Sequence, residues 1–178
     1  MSDATTRPAT RADIPTITEI YAESVVNATA SFEMVPPDEK EMARRLKELT
    51  VQGYPFLVAE GGTPRRILGY GYAGPYRSRP AYRNTVEDSI YLAADARGQG
   101  IGGVLLRQII DTCAGQGFRQ MVAIIADPEQ NEASIRLHKA AGFAEVGKLM
   151  DVGYKQGRWL GSIIMQRAIG AGSKTPPD

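Results

Sequence analysis

Arg97-Gly98-Gln99-Gly100-Ile101-Gly102-Gly103 is the stretch whose reading decides the fold. It lies between Thr85 to Ala93, which reads as a strand, and Ile101 to about Gln116, which reads as a helix. The strand reading rests on Val86, Ile90, Tyr91 and Leu92, residue types that suit a pleat. Glycines let successive backbone amides converge on one point, and a helix start adds positive potential there. Four glycines in the six positions 98–103, beside an arginine, are more than a tight turn needs. The pattern predicts a phosphate site, here for a pyrophosphate, with Arg97 as a charge-assisted donor. The bland alternative is a strand–helix turn with no ligand.

Working outward, Met121 to Ala126 is a continuous apolar run, as in a parallel strand covered on both faces. Asn131 to Ala141 reads as a helix stopped by Gly142, and Ala144 to Gly153 and Ile163 to Ala168 as closing strands. Upstream, Pro55 to Glu60 and Ile67 to Gly74 form a hairpin around Gly61-Gly62. Pro75 to Arg83 is a loop. Asp38 to about Thr50 is a helix with Met42, Leu46 and Leu49 on one face, a capping-box-like start at Asp38 and Glu41, and an end at Gly53. An earlier helix starts at Arg11 to Pro15, with Asp13 as N-cap and Pro15 in the first turn. Its apolar face is Ile14, Ile17, Tyr21 and Val25. Asn27 to Pro37 is irregular, Met1 to Thr6 reads as frayed, and 171–178 as a tail. Residues 1–170 are expected to form one mixed α/β domain, with at least one parallel crossover between Thr85 and Ala126.

Composition excludes several functions. The 178 residues are enough for one domain with a real core. The net charge of +1 gives no broad field for nucleic acid or an anionic membrane, so any anion must be held locally. One cysteine, Cys113, excludes an internal disulfide framework, and one histidine, His138, excludes a histidine-cluster metal site. No apolar run approaches the ~20 residues of a membrane span. Met1 to Arg11 carries no apolar signal region, so the cytoplasm is the expected compartment.

Gly98-x-Gly100-x-x-Gly103 matches the dinucleotide fingerprint literally. However, the next acid, Asp127, follows about 29 residues after Gly98, against about 20 in that fingerprint. The glycines also come too late in the chain to open a long parallel sheet. No Lys-Ser or Lys-Thr follows them, so this is not an ATP P-loop. A better match is Arg/Gln-x-x-Gly-x-Gly/Ala, held by Arg97, Gly100 and Gly102. This resembles the acetyl-CoA motif of the GNAT N-acetyltransferases. Asn131-x-x-Ser134-x-x-Leu137-His138-x-x-x-Gly142-Phe143 is similar to the family's next motif. Ala81-Tyr82-Arg83-x-Thr85-Val86-Glu87-x-Ser89-x-Tyr91 is similar to the signature of the phosphinothricin acetyltransferase branch, which includes methionine sulfoximine and methionine sulfone acetyltransferases. Thr29-Ala30-Ser31-Phe32-Glu33 and Gly153-Tyr154-Lys155-x-Gly157-x-Trp159 are further marks of it. The similarity runs from about Arg7 to Arg167. It implies the GNAT fold, a central mostly antiparallel sheet with a parallel splayed crossover, flanked by helices.

Acetyl transfer needs a neutral amine, a stabilised oxyanion and a departing thiolate. Glu87 is the candidate base, because a desolvated carboxylate has a raised pKa and accepts a proton. By strand parity it shares a face with Ser89 and Tyr91. The competing reading pairs it with an arginine such as Arg83. The resemblance makes His138 a catalytic partner; by itself it reads as a packed helix histidine. Relatives in the wider superfamily use a tyrosine near here, but none lies between Tyr91 and Tyr154. The resemblance further implies oxyanion and pantetheine contacts from backbone at Ile90, Tyr91 and Leu92. It places acetyl-CoA on Arg97, Gly98, Gln99, Gly100, Ile101, Gly102, Gly103, Asn131 and Ser134. Acceptor contacts are expected from Phe32, Glu33, Arg77, Arg79 and Tyr82, the arginines facing an acceptor carboxylate. No metal is expected. The expected function is acetylation of the amine of a small amino-acid-like acceptor, with a protein or peptide N-terminus as the alternative. A homodimer is expected, as is common among relatives.

Overall fold

The computed structural model describes residues 4–177. Its strands are β1 (Thr5–Pro8), β2 (Phe56–Gly61), β3 (Arg66–Pro75), β4 (Thr85–Leu92), β5 (Gln120–Ala126), β6 (Ala144–Lys155) and β7 (Arg158–Ala168). Its helices are α1 (Ile14–Asn27), α2 (Glu39–Val51), α3 (Ile101–Gly115) and α4 (Glu132–Ala140). The strands form one sheet in the order β1-β2-β3-β4-β5-β7-β6. All neighbours are antiparallel except β4 and β5, which α3 connects as a crossover.

β2 shows why mid-chain strands read as unbroken apolar runs. Phe56 and Val58 pack with α1 and α2, whereas Leu57 and Ala59 pack with α3. Both faces are covered, so alternation disappears. On the α3 side, Leu105, Leu106 and Ile109 are fully buried. Each such side chain contributes about 1.5–3 kcal/mol. An exposed ion pair contributes about 0–1 kcal/mol, so apolar packing fixes this helix on the sheet.

Three expectations are corrected. Of the segment read as frayed, Met1 to Asp3 lie outside the described residues, but Thr5 and Thr6 begin edge strand β1, opposite Glu60 and Ala59. Arg7 anchors that strand through Asp13 at 2.7 Å and Glu60 at 2.6 Å. Asp13 stands at the N-cap position of α1, but its side chain makes no capping bond to that helix. It closes a 3-10 turn, Arg11–Asp13, and accepts from the Thr10 amide at 2.7 Å and hydroxyl at 3.0 Å. The Arg7 hydrogen bond holds its carboxyl down at about 2. The last strand starts at Arg158 rather than Ile163, because its first half pairs with an exposed hairpin arm that needs no apolar run. The segment after Ile169 folds back on Arg119, which donates to Thr175 Oγ1 at 3.1 Å and Pro176 O at 3.2 Å.

One feature positions the site. β4 pairs with β5 only over Thr85–Glu87 against Gln120–Val122. Beyond Glu87 the two strands part, while β4 stays bonded to β3 as far as Leu92. Backbone groups of β4 that point toward β5 past this fork have no strand partner.

Candidate active site

The fork opens into a cleft of about 540 Å³. Ile90, Tyr91 and Leu92 form one wall, Gly98, Gly100, Gly102 and Gly103 close one end, and Asp88 and His138 lie at the other. Asn131, Ser134 and Arg97 also border it. Two of the expected cofactor residues turn their side chains elsewhere. Ile101 is buried in the core, and Gln99 Nε2 donates to Asp95 O at 2.7 Å.

Gly98 has φ +74° and Gly100 φ +82°, the left-handed region that disfavours side chains. A Cβ at either would meet nothing within 4 Å, so backbone conformation, not space, requires glycine. Gly100 is the N-cap of α3, whose first amides have no acceptor within the helix. Arg97 is ion-paired with Glu23 of α1, which ties the glycine turn to that helix. Asn131 spends its Nδ2 on Ala126 O at 2.8 Å and Asp127 O at 3.2 Å. It therefore holds the turn from β5 into α4 and leaves only Oδ1 for a ligand.

Sequence reasoning missed Asp88. Its Oδ2 lies 3.0 Å from His138 Nε2, and both residues are buried. His138 Nδ1 lies 2.8 Å from Ser134 O. A carbonyl oxygen only accepts, so Nδ1 donates to it. Nε2 then faces the Asp88 carboxyl, and one proton between them completes the pair. Burial lowers the His138 pKa, but the Asp88 hydrogen bond and charge outweigh it, and the net shift is upward. Both ring nitrogens are engaged, by Asp88 and by the Ser134 carbonyl, and His138 lines the cleft beside Asp88. Asp88 Oδ1 is buried and has no hydrogen-bond partner among the described residues. The available signal was a lone aspartate facing inward on a strand, in a chain with one histidine.

Glu87 stands on the opposite face of β4. The register sets Glu87 opposite Gly74, Ser89 opposite Tyr72, and Tyr91 opposite Tyr70. Burial first, and then the neighbouring Asp88 charge, push the Glu87 carboxyl up to about 7 against the opposing pull of Arg77. Among the described residues it forms no ion pair, with Arg83 or any other cation.

The acceptor-side residues fall in two groups. The Arg77 guanidinium lies 5.1 Å from the Tyr76 ring centroid and 5.9 Å from that of Tyr82. Arg79 is exposed, and its carbonyl accepts from the Tyr82 amide at 2.9 Å. The other group is the loop carrying Phe32 and Glu33. The Phe32 ring covers Gly153 so closely that a Cβ there would lie 2.5 Å from it. Glu33 pairs with Arg45 at 2.8 Å. Lys155, buried, donates to Ser31 O at 2.7 Å, and Thr29 donates to Asp127 at 2.6 Å. Asp127 also pairs with Arg158. Arg45, like Asp88, went unread, and Asp127 was weighed only as the acid of a dinucleotide fingerprint, its partner Thr29 lying 98 positions away. Cys113 is inert, its thiol pushed up by burial to about 12. Among the described residues there is no cluster that could hold a metal, and no helix long and apolar enough to cross a membrane.

Comparison with known proteins gives the family. Residues 7–164 match the acetyltransferase (GNAT) domain family. A phosphinothricin N-acetyltransferase from Alcaligenes faecalis is 49% identical over 166 residues, 93% of this chain and 83% of that protein. An L-methionine sulfoximine/L-methionine sulfone acetyltransferase from Pseudomonas aeruginosa is 40% identical over 163 residues, 92% of this chain and 93% of that protein. The crystal structure of a phosphinothricin acetyltransferase from Sinorhizobium meliloti, in complex with acetyl-CoA, superposes with a TM-score of 0.95 at 47% identity. That match covers 100% of this chain and 94% of the other. A mixed sheet forked at its one parallel pair, a glycine turn at a helix start and these relatives lead to one assignment: the chain belongs to the GNAT acetyltransferase family, acetyl-CoA-dependent N-acetyltransferases.

Proposed function

We propose that the chain moves acetyl from acetyl-CoA to the α-amine of a small amino-acid-like acceptor, of the phosphinothricin, methionine sulfoximine or methionine sulfone type. The observation that carries the reading is Glu87, unpaired and titrating near 7 beside the fork in the sheet. An α-amine has a pKa near 7.7–8.0 and is mostly protonated at pH 7. Glu87 takes its proton, directly or through water, and frees the lone pair for attack on the thioester carbonyl. Unpartnered β4 amides at Ile90, Tyr91 or Leu92 receive the developing oxyanion. A thiolate leaves readily, since thiols ionise near 8.5. The glycine turn holds the pyrophosphate. The Asp88–His138 pair fixes the end of the cleft nearest the reacting bond.

Arg77 and Arg79 offer charge to an acceptor carboxylate, with Tyr82 beside them. Residues 1–170 act as one acetyltransferase domain, in the cytoplasm. The working form is a homodimer, supported by Val146, Leu149, Met150 and Val152, exposed along edge strand β6, with Trp159 on its hairpin partner. Thiol release from acetyl-CoA, measured with the three acceptors and with an N-terminal peptide, tests the reading. Turnover with an amino-acid acceptor is expected. Turnover with the peptide alone overturns it.

A further inference from the structure

We propose that the acceptor's side chain enters a second cavity, of about 300 Å³, between α1, α2 and the sheet, and that this cavity selects an uncharged side chain tipped by a hydrogen-bond-accepting oxygen. The proposal rests on the amino-acid acceptor reading above and names which class of acceptor the site takes.

The cavity adjoins the proposed base. Its floor is Phe56, Tyr70 and Tyr72, on the Glu87 face of the sheet. Leu49 from α2 stands over Gly74, the residue opposite Glu87, within 3.3 Å of where a Cβ would sit. Arg45 lines the cavity and pairs with Glu33, so the acceptor loop reaches its rim. An amine held at Glu87 has this space within one residue pair of it.

The chemistry of the lining narrows the occupant. The Tyr21 hydroxyl is bonded to Ser31 Oγ at 3.0 Å. Arg45 is shared by Glu33 and Glu41, each at 2.8 Å, and Glu48 pairs with Arg44. Tyr70 is different. It is fully buried, and its hydroxyl has no hydrogen-bond partner among the described residues. Burying such a group unpaired is costly. Burial also pushes its pKa well up, so it stays protonated and serves as a donor. What satisfies it is an acceptor oxygen arriving through the cavity. An anionic tip fits poorly, because the one lining cation is already matched by two carboxylates, with Glu48 on the same wall. The guanidiniums of Arg77, Arg79 and Arg83, exposed on the other loop, serve the acceptor's α-carboxylate instead. A sulfone or sulfoximine oxygen meets these conditions, whereas a phosphinate brings a charge the cavity does not balance.

The test compares methionine sulfone, phosphinothricin and norleucine, the last an apolar side chain of similar length. Wild-type kcat/KM is expected to be highest for methionine sulfone. Tyr70→Phe should lower kcat/KM for methionine sulfone roughly tenfold, as loss of one buried hydrogen bond does. It should leave norleucine turnover and acetyl-CoA affinity within about twofold, with no fall in melting temperature, since only an unpaired group is removed. Equal loss on methionine sulfone and norleucine, or no loss on either, overturns the cavity assignment. A wild-type preference for phosphinothricin overturns the uncharged class. If the wild type acetylates no amino acid at all, the acceptor reading itself falls and the cavity proposal with it.

Discussion

The two faces of β4 handle adjacent carboxylates in opposite ways. Asp88 faces α4 and is paired with the His138 ring at 3.0 Å. Glu87, one residue earlier, faces α1 and α2 with no matched cation, and its carboxyl rises to about 7. Strand alternation alone puts a partnered carboxyl and an unpaired one with a raised pKa on consecutive residues. Burial by itself does not make a carboxylate a base. What separates the two is whether the burial comes with a partner.

The largest expected effect lies at the glycine turn that closes the cleft beyond both residues. Gly100→Asp puts a side chain in the left-handed region and a negative charge at the start of α3. Acetyl-CoA binding should be abolished in calorimetric titration of a folded variant; unchanged affinity would remove the phosphate assignment. Next is Glu87→Gln, which should cut kcat by about 10²–10⁴ while acetyl-CoA affinity holds. The wild-type kcat/KM should rise with pH through about 7, and the variant should lack that limb and lose less at high pH, where solvent frees the amine. A raised carboxyl pKa contributes stability below its unfolded value and loses it as pH rises through the folded one. Melting of Glu87→Gln at pH 8 should therefore match or exceed the wild type. A folded variant with near-normal kcat at pH 7 would sink the base assignment.

The third experiment probes the matched face. Asp88→Ala strips a buried pair of one partner, a change that costs about 3–5 kcal/mol. Because the His138 pKa is raised in the fold, the pair's stability is fully present below the ordinary histidine value and is lost as pH rises through the folded one. Denaturation at pH 6 and pH 9 should show the larger deficit at pH 6; equal deficits would mean that His138 carries no extra proton. The smallest effect belongs to Arg79→Ala. It should raise the KM for an amino-acid acceptor several-fold and leave acetyl-CoA affinity alone, because an exposed guanidinium on the acceptor loop contributes about 0–1 kcal/mol. Equal weakening of both ligands would assign that loop to the cofactor.

What the sequence disclosed was local. The glycine turn, the cap at Asp38 and the apolar stripes of α1, α2 and α3 each reside within a few consecutive residues, where spacing fixes geometry. The face on which Glu87 lies follows from parity and agrees with the register. The rest depended on distance. Asp88 and His138 are 50 positions apart, and Thr29 and Asp127 are 98 apart, so no window contains either pair. β1 escaped because an edge strand held by Arg7 ion pairs carries no apolar signature. Whether Glu87 was a base or an Arg83 partner was undecidable from composition, since the two readings differ only in where a loop arginine points.

The fork between β4 and β5 also means that the sheet contains an edge in its own interior. An ordinary edge lies at the rim, where water or a neighbouring chain can pair with it. Here the backbone groups of β4 that turn away from β3 past Glu87 lie along a cleft in the middle of the sheet, while β5 runs on across it, paired with β7 as far as Ala126. Such an interior edge is open to an extended ligand that carries its own amides. The two halves of the sheet are joined only by the pairs at Thr85, Val86 and Glu87. Glu87 stands at the last of these pairs, the point where the sheet divides.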